Sequence, residues 1–370
     1  MKIHYLATAN IPSRTANSLQ IIKMCEAFSL IGHNISLIVP NLICNNNSIK
    51  NYYDLRKKIK IYKVGVKKKY LSGIDSILTP IMILKKSLSL GNDIIITRNL
   101  VISFFLIILK KKHIFEIHDD LMVGGKKLSY IFKLFNLLNS KSILKLVFIT
   151  HELKEYIKKK YNYSNNNFEI LPDATDIKSE KNFKIKILEK KKIGYFGSIY
   201  NSRGIPLIIK LSKIDKNNDY FIYGGSKSEV KKIIIHESEN LKIYPQISFK
   251  KVKKIIKKMD ILLMPYTNKA TISGDYGNII NFMSPMKMFD YLGAGKIIIS
   301  SNIKVLREVL IDNFNSILIK DFLNIYKWKE QIDKVNLKKK KYLKIKKNAI
   351  LTSLKFTWKK RADKILKEIK

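Results

Sequence analysis

Cysteine is almost absent from this chain of 370 residues: there are only Cys25 and Cys44. Two cysteines exclude a disulfide framework, and they lack the spacing of a zinc site. A reducing compartment is the matching expectation, with Cys25 as a core residue on a helix. Arginine is also scarce. Of 71 basic residues only six are Arg (Arg14, Arg56, Arg98, Arg203, Arg307, Arg361) and the rest are Lys. Readers of bases and phosphates favour the bidentate arginine fork, so no specific nucleic-acid partner is expected despite a net charge of +42. Acidic residues number only 29, and a surface so poor in them is drawn to anionic membranes at about 1 kcal/mol per nearby lysine. Long apolar runs are missing too. The longest, Leu100 to Leu109, falls short of the roughly 20 residues of a spanning helix and reads as a buried helix. The opening Met1 to Leu6 reads as a strand rather than a signal peptide. A cytoplasmic protein, peripheral at the inner face of the membrane, is expected. No P-loop, serine-hydrolase elbow or dinucleotide fingerprint is visible, which argues against an oxidoreductase.

What is present is a regular alternation of short apolar strands and amphipathic helices, the pattern of parallel, doubly wound sheets. The first half carries strands at 2–8, 35–40, 58–66, 93–98, 113–119, 146–150 and 168–173, with a first helix from Ser18 to Ile31. A charged stretch at 178–192 reads as a linker. The alternation then restarts with strands at 192–198, 220–225, 241–246, 261–266, 296–301 and 316–320. The lysine-rich tail has a helical period. A 46% hydrophobic chain of this length suits two domains of about 180 residues each.

The segment from Ser284 to Leu310 carries the most chemistry. A polar turn (Ser284, Pro285) opens a helix over Met286–Leu292, glycines 293 and 295 stop it, and a strand follows. A turn that opens a helix presents backbone N–H groups and a positive dipole end, which suits a diphosphate. Ser284 and Met286 stand at that start, Lys287 adds a point charge in the first turn, and Asp290 follows one turn later as a candidate acceptor for ribose or sugar hydroxyls. Arg203, after the strand-ending Gly197, can grip phosphate bidentately and complete a two-cation clamp that removes the need for a divalent metal. Tyr223, Gly224 and Gln246 lie at strand ends where a base could rest.

This segment resembles the donor helix of retaining glycosyltransferases of family 4 (group 1), in a Ser-Pro-x-Lys-x-Phe-acidic-Tyr variant. The order of IPSRTANSLQ, FEIHD, LPDATD, YFGSIYNSRGI, MDILLMPY and FTWKKRADKIL extends the resemblance over nearly the whole chain. It implies an α/β fold of two tandem Rossmann-like domains (GT-B type), with a C-terminal helix crossing back to the N-terminal domain. The expected boundaries are an acceptor domain at 1–178, a nucleotide-sugar domain at 192–350 and a crossover helix at 351–370. The implied activity is metal-independent transfer of a sugar from a nucleotide-diphosphate sugar to a glycan or lipid-linked acceptor in surface-polysaccharide assembly, with no further cofactor. His118 and Asp119, at a strand end that would face the interdomain cleft, are implied to serve the sugar and acceptor hydroxyl. Asn17, Ser18 and Arg98 would line the acceptor loop. Two positions depart from the family pattern: Ser198 replaces a basic residue, with Lys287 as its substitute, and Phe282 replaces a glutamate. A sugar-nucleotide epimerase of similar fold and a non-catalytic, basic nucleic-acid or membrane-binding module remain as alternatives.

Overall fold

The computed structural model describes all residues except 42–45, 66–74, 165, 180–188, 272–277, 338 and 370; Cys44 and most of the charged linker lie outside the described residues. The chain forms two compact units, Met1–Pro172 with Trp358–Lys370, and Asp173–Thr357. Residues 351–357, grouped with the crossover helix from sequence, belong to the second unit. A helix over Lys339–Ser353 ends there, and a separate helix at Trp358–Leu366 joins the first.

The first unit holds β1 (Lys2–Leu6), β2 (Asn34–Pro40), β3 (Lys60–Val64), β4 (Ile94–Thr97), β5 (His113–Ile117), β6 (Ile143–Phe148) and β7 (Phe168–Ile170). They pair in the order β3-β2-β1-β4-β5-β6-β7, all parallel. The second unit holds β8 (Lys192–Phe196), β9 (Asp219–Tyr223), β10 (Leu241–Tyr244), β11 (Ile261–Met264), β12 (Ile297–Ser301) and β13 (Ile317–Ile319). Their order is β10-β9-β8-β11-β12-β13, again all parallel. Both sheets reverse direction of growth beside their first strand, which places a switch point between β1 and β4 and another between β8 and β11. The two Rossmann-like halves expected from the alternation are present.

A parallel sheet covered on both faces needs strands that are apolar throughout. The second unit shows how side-chain alternation sorts such strands between two cores. Ile193 and Tyr195 of β8, Leu263 of β11 and Ile299 of β12 enter one cluster; Phe196, Leu262, Met264 and Ile298 enter the other. Strand ends are shorter than the apolar runs suggest where a polar residue is taken as a helix cap. The Thr150 side chain accepts from Leu153 N and starts the helix His151–Tyr161, so β6 stops at Phe148. Thr15 likewise accepts from Ser18 N, so the first helix spans Ala16–Leu30 and begins two residues before the expected start. Leu100–Ile108 is a helix as expected, but only one side is buried: Ile102, Ser103 and Leu106 face inward, whereas Ile108 and Leu109 are exposed.

The closing helix Trp358–Leu366 packs on Ala16–Leu30. Its Arg361 is buried, with Nη1 3.3 Å and Nη2 3.4 Å from the two Glu116 carboxylate oxygens and Nε donating to the carbonyls of Leu171 and Pro172. Glu116 is itself fully enclosed. Removing one partner of such a pair strands the other charge in low dielectric. Arg361→Met should therefore lower the unfolding free energy by about 3 kcal/mol in urea titrations of the full chain. A loss below about 1 kcal/mol would show that the pair does not hold this helix in place.

Candidate donor and acceptor sites at the sheet edges

In the second unit the switch point is made by very close backbone approach. Gly204 has φ +80°, and a Cβ there would stand 1.7 Å from the Pro265 carbonyl oxygen, just after β11. A Cβ on Gly224 would stand 1.7 Å from the carbonyl oxygen of Gly197. Only glycine fits either place. The loops after β8, β9 and β11 are thus drawn together around Tyr195 and Tyr266, both buried.

Lys287 enters this edge from the first turn of the helix Met286–Gly293, whose N-cap is Pro285 and has no side-chain cap bond. The first-turn N–H groups and the lysine thus share one location. The ammonium lies beside Gly197, where an added Cβ would come within 2.8 Å of Nζ. Nζ sits 4.0 Å from the centre of the Tyr195 ring and 5.1 Å from that of Tyr266. It is enclosed and has no hydrogen-bond partner among the described residues. Burial first, and the charge of Arg203 second, push its pKa well below the usual lysine value. Arg203 lies 5.4 Å from the centre of the same Tyr266 ring and donates to the Thr271 carbonyl at 2.8 Å. The two cations proposed as a clamp are therefore brought together.

Ser284 and Asp290 have different occupations. Ser284 Oγ accepts from Asp173 N at 3.0 Å, and Thr175 Oγ1 donates to Asp290 Oδ1 at 2.6 Å. Both are buried and tie residues 173–175 along the Met286–Gly293 helix. Met286 stands at the helix start as expected.

Tyr223 is the middle of a three-ring ladder. Its ring stacks on Phe196 at 5.0 Å and on Tyr244 at 4.9 Å, nearly parallel to both. Phe196, Tyr223 and Tyr244 are register partners on β8, β9 and β10. With both faces covered, Tyr223 has none left for a base. Tyr244, at the edge strand and 39% exposed, ends the ladder. The sequence reading missed it, although its place in LKIY, aligned with FIY, marks it as a same-face neighbour. Gly224 N donates to the Tyr244 carbonyl and Gln246 N to that of Gly225, which fixes the loop after β10.

In the first unit His118 sits one residue beyond the end of β5. Its Nε2 is 3.0 Å from Glu116 Oε2. Because a carboxylate only accepts, Nε2 carries the proton and Nδ1 is left with a lone pair. Gln20 links Glu116 to Arg98, accepting from Arg98 Nη1 at 2.7 Å. Burial raises the Glu116 pKa, but Arg361, His118 and Arg98 together outweigh it and hold it well below the usual carboxylate range. The His118 pKa is pushed down to about 3, by burial first and Arg98 second, so the ring is neutral at physiological pH. Burial raises the pKa of Asp119, whose Oδ1 accepts from Asp120 N. Glu116 escaped the sequence reading, though its i, i+2 spacing to His118 puts both on one side of the strand.

In the loop expected to serve the acceptor, Asn17 is exposed whereas Ser18 is buried. Ser18 Oγ donates to the Ser13 and Thr15 carbonyls and lies 3.0 Å from Tyr53 Oη, so it holds the loop from inside.

A histidine kept neutral by burial makes stability fall on acidification, because the unfolded chain binds the proton first. With 6.5 unfolded and about 3 folded, the contribution is present above pH 6.5 and is lost as pH falls toward 3. His113, lowered to about 4 by burial, acts in the same sense. Between pH 6 and 4, wild type should lose stability relative to His118→Asn by about 1.4 kcal/mol per pH unit, measured by urea unfolding. A constant difference across that range would show that His118 is not held neutral.

Residues 176–352 match the family model described as glycosyl transferases group 1. Among curated proteins no sequence matches this chain. Solved structures similar to it include sucrose-phosphate synthase from Thermosynechococcus elongatus (TM-score 0.73, 11% identity, covering 98% of this chain and 96% of that one). Anabaena HepE, solved in complex with UDP and glucose, is similar at TM-score 0.70 and 12% identity, with 99% and 98% covered. WaaG, a glycosyltransferase involved in lipopolysaccharide biosynthesis, gives TM-score 0.67 and 14% identity, with 99% and 100% covered. The second unit thus carries the sequence pattern of the group 1 glycosyl transferases, and the whole chain has the GT-B fold.

Proposed function

We propose that this protein is a retaining glycosyltransferase that moves a sugar from a nucleotide-diphosphate sugar to a glycan or lipid-linked acceptor in surface-polysaccharide assembly. The observation that carries the donor half is the enclosed Lys287 ammonium, without a hydrogen-bond partner among the described residues, at the start of a helix with no side-chain cap and beside Arg203. A buried cation costs folding free energy unless an anion completes it. A diphosphate at that place would accept from the lysine, the arginine and the first-turn N–H groups together. As the bond from the anomeric carbon to the diphosphate breaks, its electron pair leaves with the phosphate oxygen. Cations already fixed there stabilise that charge most as it forms. Two such cations supply the charge that a divalent ion would otherwise bring, which is the basis for metal-independent transfer.

The base is assigned to the outer face of Tyr244, and Asp290 supports the site by holding Thr175. His118 and Asp119 are the groups of the first unit assigned to the transferred sugar and the acceptor hydroxyl. The neutral ring, oriented by Glu116, offers Nδ1 as an acceptor. The overall basic charge fits work on acceptors anchored at the inner face of a membrane.

Metal-free thermal-shift titrations with UDP, GDP, their sugars and the monophosphates test the donor half. Stabilisation by a diphosphate and its sugar beyond that by the monophosphate is expected. Lys287→Ala and Arg203→Ala should each weaken that binding on the order of tenfold to a hundredfold, as for hydrogen bonds to charged groups. Full binding by both variants would remove the clamp from the reading. Tyr244→Ala should cost about 1–3 kcal/mol of nucleoside-diphosphate affinity, the worth of one base stacked on an aromatic ring. It should leave pyrophosphate binding unchanged, and an equal loss for both ligands would place the base elsewhere.

A further inference from the structure

The helix Lys126–Leu134 buries Ser129 and Phe132, and Phe132 packs against Phe104 of the helix Leu100–Ile108, with ring centres 6.4 Å apart. The side turned to solvent should then be polar. Instead Tyr130 is 67%, Leu134 75% and Phe135 65% exposed, and Val123 just before the helix is 64% exposed. The neighbouring helix ends the same way, with Ile108 and Leu109 exposed ahead of Lys110, Lys111 and Lys112. The charge on these segments has one sign. No acidic residue occurs from Asn99 to Phe115 or from Leu121 to His151, and Lys126 and Lys133 flank the exposed apolar residues. The turn that leads into the helix is pinned rather than loose. Asp120 accepts from Met122 N, Tyr156 Oη, Tyr161 Oη and Lys160 Nζ.

We infer that this face docks on an anionic phospholipid bilayer, with Tyr130, Leu134 and Phe135 entering the headgroup and acyl boundary and the lysines pairing with lipid phosphates. Exposed apolar side chains interleaved with lysine, on a short helix too small to span, have the composition of an interfacial segment. Among the described residues no helix is long and apolar enough to cross a membrane. The net charge alone would attract the protein to such a surface in any orientation; the apolar residues select this face. The helix follows the loop of His118 and Asp119 directly in sequence, so docking here would bring the acceptor half of the protein to membrane-linked acceptors. The docking itself does not depend on the enzymatic reading.

The test is co-sedimentation of the full chain with phosphatidylcholine vesicles with and without phosphatidylglycerol. Wild type should bind only the anionic vesicles. A combined Tyr130→Ser, Leu134→Asn and Phe135→Asn variant keeps every charge and should bind them at least about tenfold more weakly. Unchanged binding would mean diffuse charge attraction and would overturn the assignment. A Tyr130→Trp variant gives a second reading, since Trp328 and Trp358 are buried. Its emission should shift to the blue with anionic vesicles, and an unshifted spectrum would overturn the proposal. Light scattering without lipid covers the other occupant: a wild-type dimer lost in the triple variant would make this face a contact between copies. Nucleoside-diphosphate binding, measured on the same preparations in solution, separates failure here from failure of the glycosyltransferase reading.

Discussion

A parallel sheet is buried on both faces, so its strands can carry almost nothing polar, and chemistry is confined to the edge where they end. Both units of this protein obey that constraint. The strands are rich in Ile, Leu, Val and Tyr whose alternate side chains serve two cores, and the charged candidate residues lie at or beyond the C-terminal ends of β4, β5 and β8 or enter beside them. In the second unit the loops at the switch point meet at Gly204 and Gly224, whose missing side chains allow backbone to approach where a Cβ would collide.

The two units treat buried charge in opposite ways. In the first, Glu116 is surrounded by Arg361, His118 and, through Gln20, Arg98, and the result is a closed network with a neutral histidine at its outer end. This network also ties the last helix of the chain to the sheet, so the same carboxylate serves both the fold and the orientation of His118. In the second unit Lys287 is enclosed by tyrosine rings and glycine, with no hydrogen-bond partner among the described residues. Ring faces attract a cation, but they replace only part of its lost hydration. Burial without a counter-charge disfavours the charged form, which is why the Lys287 pKa is pushed well below the usual lysine value.

Much of this was legible in the sequence. Thirteen apolar runs corresponded to thirteen strands in the described residues, because strands buried on both faces must be apolar along their length and turn residues bound them. The pairing of Arg203 with Lys287 could be anticipated from the Gly-loop-Arg and Ser-Pro-x-Lys segments. Less legible was which polar residue faces a ligand and which faces its own chain. Ser284, Asp290 and Ser18 have the composition of ligand contacts, and each also bonds within its own chain, to Asp173, to Thr175 and to the Ser13 and Thr15 carbonyls. Tyr223 has the composition of a stacking partner but is already stacked on both sides.

The sequence by itself determined the strand and helix alternation, the two-unit division, and the positions of the close-approach glycines and of the helix start that carries Lys287. These are local properties, set by side-chain period and backbone freedom within a few residues. Only the tertiary structure decided that Glu116 holds His118, that Tyr244 ends the aromatic ladder, and that Leu134 and Phe135 point outward. Each of those outcomes depends on what a distant segment does with a shared space. Glu116 meets Arg361 from the far end of the chain, Tyr244 is aligned by strand register, and Phe132 takes the inward place beside Phe104. A linear sequence lists the groups that compete for burial; packing decides which of them win.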